Sequence, residues 1–547
     1  MNEEVTPNDA QADYVIIGAG SAGCVLADRL SADGKTRVVV LEAGGSDFNF
    51  WVRMPIGYGG AFHHPKLNWR YTTEPETELD QRRIYWPRGR VIGGSSSINA
   101  MVFIRGQAED YDGWHAMGNP GWAYQDVLPH FKRMEDNLAG ADTWRGAGGP
   151  ISVSPIDRSA HPLSRDYVAA GMAAGLPNNA DFNGETQEGV GLYQITTRNG
   201  FRCSAATGYL NKARRRENLR VITGAHVTRI LFSGRQAYGV EFQRGGALQR
   251  IAATREVILS AGAVNSPQIL QLSGIGKAEH LKALGIDVVH NALGVGQNLQ
   301  DHIGYDYIYE ATCPTLNEVL RPWLGRAMVG LRYVLTRGGP LSLSVNQGGG
   351  FFKSSPERDR PNLQLYFSPV SYTRAMPGKR KLLAPDKFPG LLIGVSNCHP
   401  KSRGYLQIQS ADPFGAPEIR PRYLSAPEDL DELAEGGSML RRIAGSPPLA
   451  QSIKREVLPG ADVSDMEAIR DDIRQRAGTV FHACGTCMMG PDPAVGAVVD
   501  ARLNVHGVAG LRVVDASVFP RITSGNLNAP TIMVGEKAAE MIQEDWG

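Results

Sequence analysis

Long apolar runs are missing. No stretch of about 18 such residues occurs anywhere in the 547-residue chain, so a membrane-spanning helix is not expected. The opening residues, MNEEVTPNDAQ, lack both the basic start and the apolar core of a secretory signal. Cysteine is scarce. Six thiols, at 24, 203, 313, 398, 484 and 487, are too few for a disulfide framework in a chain of this length and suit a reducing compartment. A cytoplasmic location is expected, with peripheral attachment to a membrane left open. Neither charge is in excess, with 57 Lys plus Arg against 56 Asp plus Glu, so the overall balance gives no reason to expect a nucleic-acid partner. Repeats and low-complexity tracts are absent as well, which excludes collagen-like and disordered chains. At ~100–200 residues per domain, the length points to roughly two to four units.

Glycine, by contrast, is abundant: 64 residues, roughly 12% against an average near 7%. Outside a repeat, that excess means tight turns and close backbone approaches, which suit a large ligand threaded through loops. Residues 13–23 read DYVIIGAGSAG and are followed by CVLADRLSADG and TRVVVLEAGG. Residues 14–17 and 38–41 read as buried parallel strands, with a helix over 24–30 between them. Gly18 turns the chain off the first strand, Gly20 leaves room for a pyrophosphate, and Gly23 lets the helix pack on the sheet. The helix N-terminus offers unpaired N–H groups and a partial positive charge. Glu42, ending the second strand, is placed to accept hydrogen bonds from ribose hydroxyls. Ser21, Ala22 and Ala43 complete this expected nucleotide site. The pattern predicts dinucleotide binding and does not separate FAD from NAD.

Further along stand GRVIGGSSSIN (89–99), GAVNSPQILQLSGIG (262–276), GVGQNLQDH (294–302), FHACGTCMMG (481–490) and LRVVDASVFPRITSGNLNAPTIMVGEKAA (511–539). In this order, and with the glycine entrance, the set resembles the glucose-methanol-choline (GMC) oxidoreductases, especially the choline-dehydrogenase-like branch. The resemblance implies FAD as cofactor. It also implies an α/β fold, with a Rossmann-like FAD-binding domain and a discontinuous α+β substrate-binding domain. The expected FAD-binding parts are 12–158, 215–312 and 478–547; the expected substrate-binding parts are 159–214 and 313–477. The coarse pattern fits, with strand-like runs at 219–222, 237–242 and 257–260 and helix-like ones at 429–443 and 466–476. Cofactor contacts are expected from Gly94, Ser95, Asn99, Met101 and Val102 in the small-residue loop. Val227, Ala261, Asp515, Ala516, Asn526 and Asn528 are further expected contacts. Some members attach FAD through a histidine just before the asparagine; here that position is Ile98, so non-covalent FAD is expected.

Hydride leaves an alkoxide far more readily than a neutral alcohol, so the protein must supply a base and an orientation. Among twelve histidines, His482 matches the family's catalytic position and is the expected general base. Asn526 matches the second active-site position, where an amide can hold the substrate oxygen, while Asn528 reads as the better helix cap. His506 reads as a turn residue. Cys484 and Cys487 form a lone CxxC, which the resemblance assigns to packing, and no metal site is expected.

Phe481 is the best candidate for the substrate pocket. Most of Trp323, Tyr333, Phe351, Phe352, Tyr366, Phe367 and Tyr372 read as core. Choline oxidisers of this branch carry a glutamate before a Gly-Gly-Phe-like stretch; here the aligned position is Gln347, which favours a neutral primary or secondary alcohol. The expected function is FAD-dependent oxidation of such an alcohol to an aldehyde or ketone, with oxygen or a quinone-type compound as electron acceptor. Two alternatives stand beside it: an FAD-containing lyase acting on a hydroxyl compound, and choline dehydrogenase proper.

Overall fold

The computed structural model describes residues 11–372 and 385–547 and is built around two sheets. The first begins with Gln11–Ile17 and Val38–Glu42, whose apolar runs are buried nearly throughout, as a strand covered on both faces requires. They pair in parallel, joined by the helix Ser21–Leu30. Leu219–Thr223 adds to one side and Ala247–Leu259 to the other, both parallel. Ala247–Leu259 then turns back through Gln236–Arg244 and His226–Ser233 as antiparallel neighbours. Leu511–Val513, from near the chain's end, lies parallel beside Val257, Ile258 and Leu259.

The second sheet is antiparallel throughout. Its order is Ile453–Leu458, Ile303–Ala311, Gly390–Asn397, Leu363–Ser368, Gly348–Phe352 and Gly189–Leu192. Side chains alternate with the two-residue period of a strand. Tyr305, Tyr307 and Tyr309 point into the apolar layer beneath the helices Pro427–Ala444 and Met466–Arg476. Gly304, Asp306 and Ile308 face the other way, onto the cavity described below. The strand Ile303–Ala311 corrects one expectation. A boundary at 312 would leave it with the nucleotide-binding part, yet among the described residues it pairs only within the second sheet. The strand was not among the strand-like runs read from the sequence, and its apolar alternation carries no information about its partners.

The C-terminal helix Asn528–Trp546 closes the first sheet's outer layer by lying on Ser21–Leu30. The two approach so closely that a Cβ on Gly535 would sit 3.1 Å from the Cα of Ala22. Beside that contact, the fully buried carboxylate of Glu536 accepts from Arg29 Nη2 at 2.7 Å, Arg133 Nε at 3.0 Å and the Tyr209 hydroxyl at 2.7 Å. Four distant chain segments therefore meet on one anion. Among the described residues no helix is long and apolar enough to cross a membrane, and no cluster of side chains is arranged to hold a metal ion. All six cysteines are free, with Cys484 and Cys487 packed in the core.

Removing this anion takes the shared acceptor from two arginines and a tyrosine, although Arg133 keeps Glu540 and Arg29 keeps a longer approach to Asp28. Because Arg29 and Arg133 keep partial access to water, Glu536→Ala is expected to cost about 3 kcal/mol, at the low end for breaking a buried pair. Urea denaturation of the variant beside the parent protein measures this; a loss within about 0.5 kcal/mol, typical of a surface change, would show that the clamp is not needed.

Candidate active site

A continuous cavity of about 560 Å³ runs between the two sheets. One end is built by the glycine turn. Gly18, Gly20, Ser21 and Ala22 line it together with Glu42 and Ala43. Gly23 lies just behind, and a Cβ there would come within 2.0 Å of the Gly18 carbonyl oxygen, so only glycine lets the helix start this close to the strand. Both oxygens of Glu42 accept backbone N–H groups, from Ala19 at 2.9 Å and Gly44 at 2.7 Å. Burial nonetheless pushes its carboxyl up to about 7. Val227 and Ala261 face the same end.

The small-residue loop lies directly on this turn. A Cβ on Gly94 would meet the Cα of Gly20 at 2.8 Å, so the two backbones touch. Ser95, Asn99, Met101 and Val102 continue the wall. Asn99 Oδ1 accepts from Met101 N–H and from Nη1 of the buried Arg202 at 2.7 Å, which leaves its amide N–H groups for a ligand. Arg202 was not foreseen; burial pulls its guanidinium down to about 9, and Nη2 lacks a partner among the described residues.

The helices Ser21–Leu30, Gly262–Leu272 and Asn528–Trp546 all present their first residues to the cavity. Three N-terminal partial positive charges therefore converge, an arrangement suited to a ligand carrying phosphates and electron-rich carbonyls. Asn528 does not cap its helix as expected. Its Oδ1 accepts from the Ser21 hydroxyl at 3.0 Å, joining two of these N-termini. Asp515 accepts from Gly262 N–H and the Ser266 hydroxyl, so it fixes where the Gly262–Leu272 helix begins; Asp515 and Ala516 both line the cavity.

His482 and Asn526 face each other at the opposite end, with Asn526 Nδ2 3.2 Å from His482 Nε2. The amide orientation follows from Gln364, whose Nε2 donates to Asn526 Oδ1 at 3.3 Å. The histidine tautomer follows from a longer chain. His302 Nε2 lies 2.9 Å from the carbonyl oxygen of Cys398, which can only accept, so that nitrogen carries the proton. Complete burial pulls His302 down to about 3, so it is neutral and its Nδ1 is a bare lone pair. His482 Nδ1 lies 2.9 Å from that lone pair and must therefore be the donor. His482 Nε2 is left unprotonated, toward Asn526 and the cavity. Burial, then His302, then Arg88 hold the His482 imidazolium well below its ordinary range.

The loop carrying His482 is pinned by Asp301, which accepts His482 N–H at 2.7 Å and the hydroxyls of Thr479 and Tyr423. Asp110 does the same for Asn526's loop, accepting Ser524 N–H at 2.7 Å. Phe481 adopts a positive φ of 74°, which turns its ring onto Phe62 at 5.2 Å between centroids. Phe62 in turn stacks edge-on to Tyr58. Tyr366 and Tyr372 also reach this wall, whereas Tyr333, Phe351, Phe352 and Phe367 are core and Trp323 is exposed.

Gln347 does not reach the cavity. Its amide oxygen accepts His161 N–H at 2.7 Å and the Ser164 hydroxyl at 3.0 Å on the far side, and its neighbour Asn346 lines the wall instead. A shift of one residue exchanges faces in extended chain, so the charge argument drawn from Gln347 does not hold. His302, Arg202, Gln364 and Arg88 were all missed. His302 stood inside a quoted block, but nothing local marks a histidine that orients another 180 residues away.

A glycine turn on a strand, converging helix N-termini and a neutral histidine opposite them define a flavoprotein oxidoreductase site. Comparison with known proteins agrees. The GMC oxidoreductase N-terminal model matches residues 12–304 and the C-terminal model residues 400–535; the chain belongs to the GMC oxidoreductases. It is 46% identical to an alcohol dehydrogenase (acceptor) of Pseudomonas putida and 43% identical to an oxygen-dependent choline dehydrogenase of Rhizobium etli, over 97% of this chain and 95% of each relative. An FAD-dependent oxidoreductase from Chaetomium thermophilum superposes with a TM-score of 0.89 at 27% identity, covering 98% of this chain and 99% of the other. The protein is thus an FAD enzyme acting on CH–OH donors.

Two outcomes follow from the histidine chain. The unprotonated His482 persists below its ordinary pKa, so the acid limb of flavin reduction is expected below pH 6.5; a limb centred at or above that value in stopped-flow measurements would contradict the assignment. His302 acts through His482. His302→Gln, which offers an amide oxygen to His482 Nδ1–H, is expected to keep flavin reduction within ~10-fold of the parent, whereas His302→Leu should lose ~10²-fold or more, as when a general base is disabled. Equal losses in the two variants would reduce His302 to a packing role.

Proposed function

We propose that the enzyme oxidises a neutral primary or secondary alcohol to the aldehyde or ketone, with His482 as general base and Asn526 as the donor that holds the substrate oxygen. The observation carrying this reading is the unprotonated His482 Nε2, set by the chain from Cys398 through His302. It opens onto the cavity that the glycine turn begins.

In this reading the nucleotide sheet carries the cofactor and the antiparallel sheet faces the substrate. Gly18, Gly20, Ser21 and the three helix N-termini would hold the pyrophosphate and the adjoining carbonyls. Glu42 would accept from the ribose, and Asn99 would donate to the ring system. Ile98 offers only an aliphatic side chain beside the cavity, so the cofactor is held without a covalent bond. Bound FAD would supply the acceptor for the hydride, which carries both electrons of the oxidation.

The chain's own residues supply the rest. The alcohol hydroxyl donates to His482 Nε2 and passes its proton there. The imidazolium then carries N–H on both nitrogens, facing a neutral acceptor in His302 and no carboxylate. Asp301 takes the backbone N–H of His482 rather than a ring nitrogen, so the ring's charge is balanced chiefly by the alkoxide it has just formed. Asn526 Nδ2 donates to that alkoxide, adding the preorganised dipole that favours charge developing at this atom.

The wall of Tyr58, Phe62 and Phe481 favours an apolar carbon chain. The Asp306 carboxylate, also on the cavity, lies beside the Arg476 guanidinium, whose Nη1 donates to its carbonyl at 2.9 Å. A second reading rests on the same aromatic rings, which also suit a trimethylammonium group through cation–π attraction; choline is therefore the principal competing substrate.

An anaerobic screen of alcohols, choline included, tests both readings by bleaching of the flavin absorbance. Bleaching by uncharged alcohols but not by choline is expected, and strong choline selectivity would decide for the second. A hydroxyl compound turned over with the flavin still oxidised would establish a lyase instead. His482→Ala is expected to retain bound flavin while losing ~10²–10⁴-fold in its reduction rate. Near-normal reduction by that variant would remove His482 from the mechanism.

A further inference from the structure

The helix Trp323–Thr336 has an unusual division of faces. It buries only Gly325, Val329 and Tyr333, a narrow stripe at four-residue spacing. Directly opposite stand Trp323, Leu324, Met328, Leu331, Val334 and Leu335, each more than half exposed, with Trp323 at 70% and Leu335 at 73%. At 3.6 residues per turn these six span an arc of about 140° centred away from the protein. Arg326 and Arg332 fall between the two faces, one on each flank, and neither pairs with a carboxylate among the described residues. The helix WLGRAMVGLRYVLT contains no acidic residue at all.

We infer that this face docks on an anionic lipid surface, the apolar arc entering the acyl boundary and the two arginines meeting headgroup phosphates. An aqueous setting leaves six large apolar side chains wet, well beyond the single exposed residues usual on a protein surface. A second copy of this chain would cover them only by bringing like charges together, because helices packing through this arc carry arginine on both flanks and no carboxylate to answer it. A bilayer surface meets both demands. Arginine stems lie along apolar surface while their heads reach phosphate, the arrangement of helices that lie in a membrane interface.

The position gives docking a consequence. Tyr333, on the buried stripe, belongs to the same apolar cluster as Tyr58 and Phe62, which wall the aromatic end of the cavity, and Phe481 packs against that cluster. The lipid surface would therefore lie beside the aromatic end of the cavity, within reach of an apolar alcohol or a lipid-dissolved electron acceptor of the quinone class. The inference goes beyond the proposed reaction and does not depend on it, since the exposed arc lies outside the cavity.

Flotation of the purified holoenzyme with vesicles tests it, using phosphatidylcholine alone and an equal mixture with phosphatidylglycerol. The protein is expected to float with the mixture at low salt and to release as salt rises. Arg326→Gln and Arg332→Gln should each lower partition ~5-fold, the usual weight of one basic residue near an anionic surface. The pair Leu324→Glu and Leu331→Glu should abolish flotation while leaving flavin content and its reduction by a water-soluble alcohol unchanged. Failure of the parent protein to float with either vesicle overturns the inference. So does a dimer in vesicle-free solution that Leu331→Glu splits, which would assign the face to a second copy of the chain.

Discussion

A backbone carbonyl oxygen can only accept a hydrogen bond, and at Cys398 that restriction sets the protonation of two histidines in turn. It requires N–H on the near nitrogen of His302, and burial denies His302 a second proton. The far nitrogen of His302 is then an acceptor, which requires N–H on Nδ1 of His482 and leaves its Nε2 bare. Asn526 agrees from the other side, because Gln364 turns its N–H groups toward that same nitrogen. Two independent arrangements thus converge on one protonation state. A carboxylate in place of His302 would also orient the ring, but would stabilise its cation and raise its pKa. A neutral orienter keeps the ring ready to accept.

Such a site has to be assembled from segments far apart in the chain. His482 and Asn526 come from near the C-terminus, His302, Gln364 and Cys398 from the second sheet and its edges, and the glycine turn from the N-terminus. Four carboxylates hold these parts in register. Glu536 joins the terminal helix to the first one, Asp515 holds the start of the Gly262–Leu272 helix, and Asp301 and Asp110 fasten the two loops that carry His482 and Asn526. A buried anion is costly unless several donors reach it. Glu536, Asp301 and Asp110 each have three or more donors drawn from more than one segment, and Asp515 takes two from one helix, so their own requirement for partners holds the assembly together.

The surface helix Trp323–Thr336 shows the opposite economy. Its apolar residues outnumber what the protein can cover, and only three of its fourteen positions are buried. Its sequence reads as an ordinary core helix until the fold shows which side faces inward. That explains why Trp323, expected among core aromatics, stands in solvent while Tyr333, ten positions along the same helix, is packed.

Much of the fold was legible because it is local. The strand, turn and helix of residues 13–30, the helix over 466–476 and Glu42 at the end of its strand depend on short-range periodicity and on glycine where a side chain cannot fit. His482 and Asn526 were legible through resemblance. Less was readable where a single residue step changes a strand's face, as with Gln347 and Asn346, or where one oxygen chooses between partners, as with Asn528. The pairing of Ile303–Ala311 was hidden for a similar reason, since alternation shows that a strand exists and not which strand lies beside it. The amino-acid order by itself determined the nucleotide turn, while the cofactor class and the proposed base, His482, came through resemblance to a family. Only the tertiary structure decided that base's tautomer, its orienting partner and the helix face left uncovered, because each depends on atoms brought together across a hundred residues or more, or on which side of an element the rest of the protein occupies.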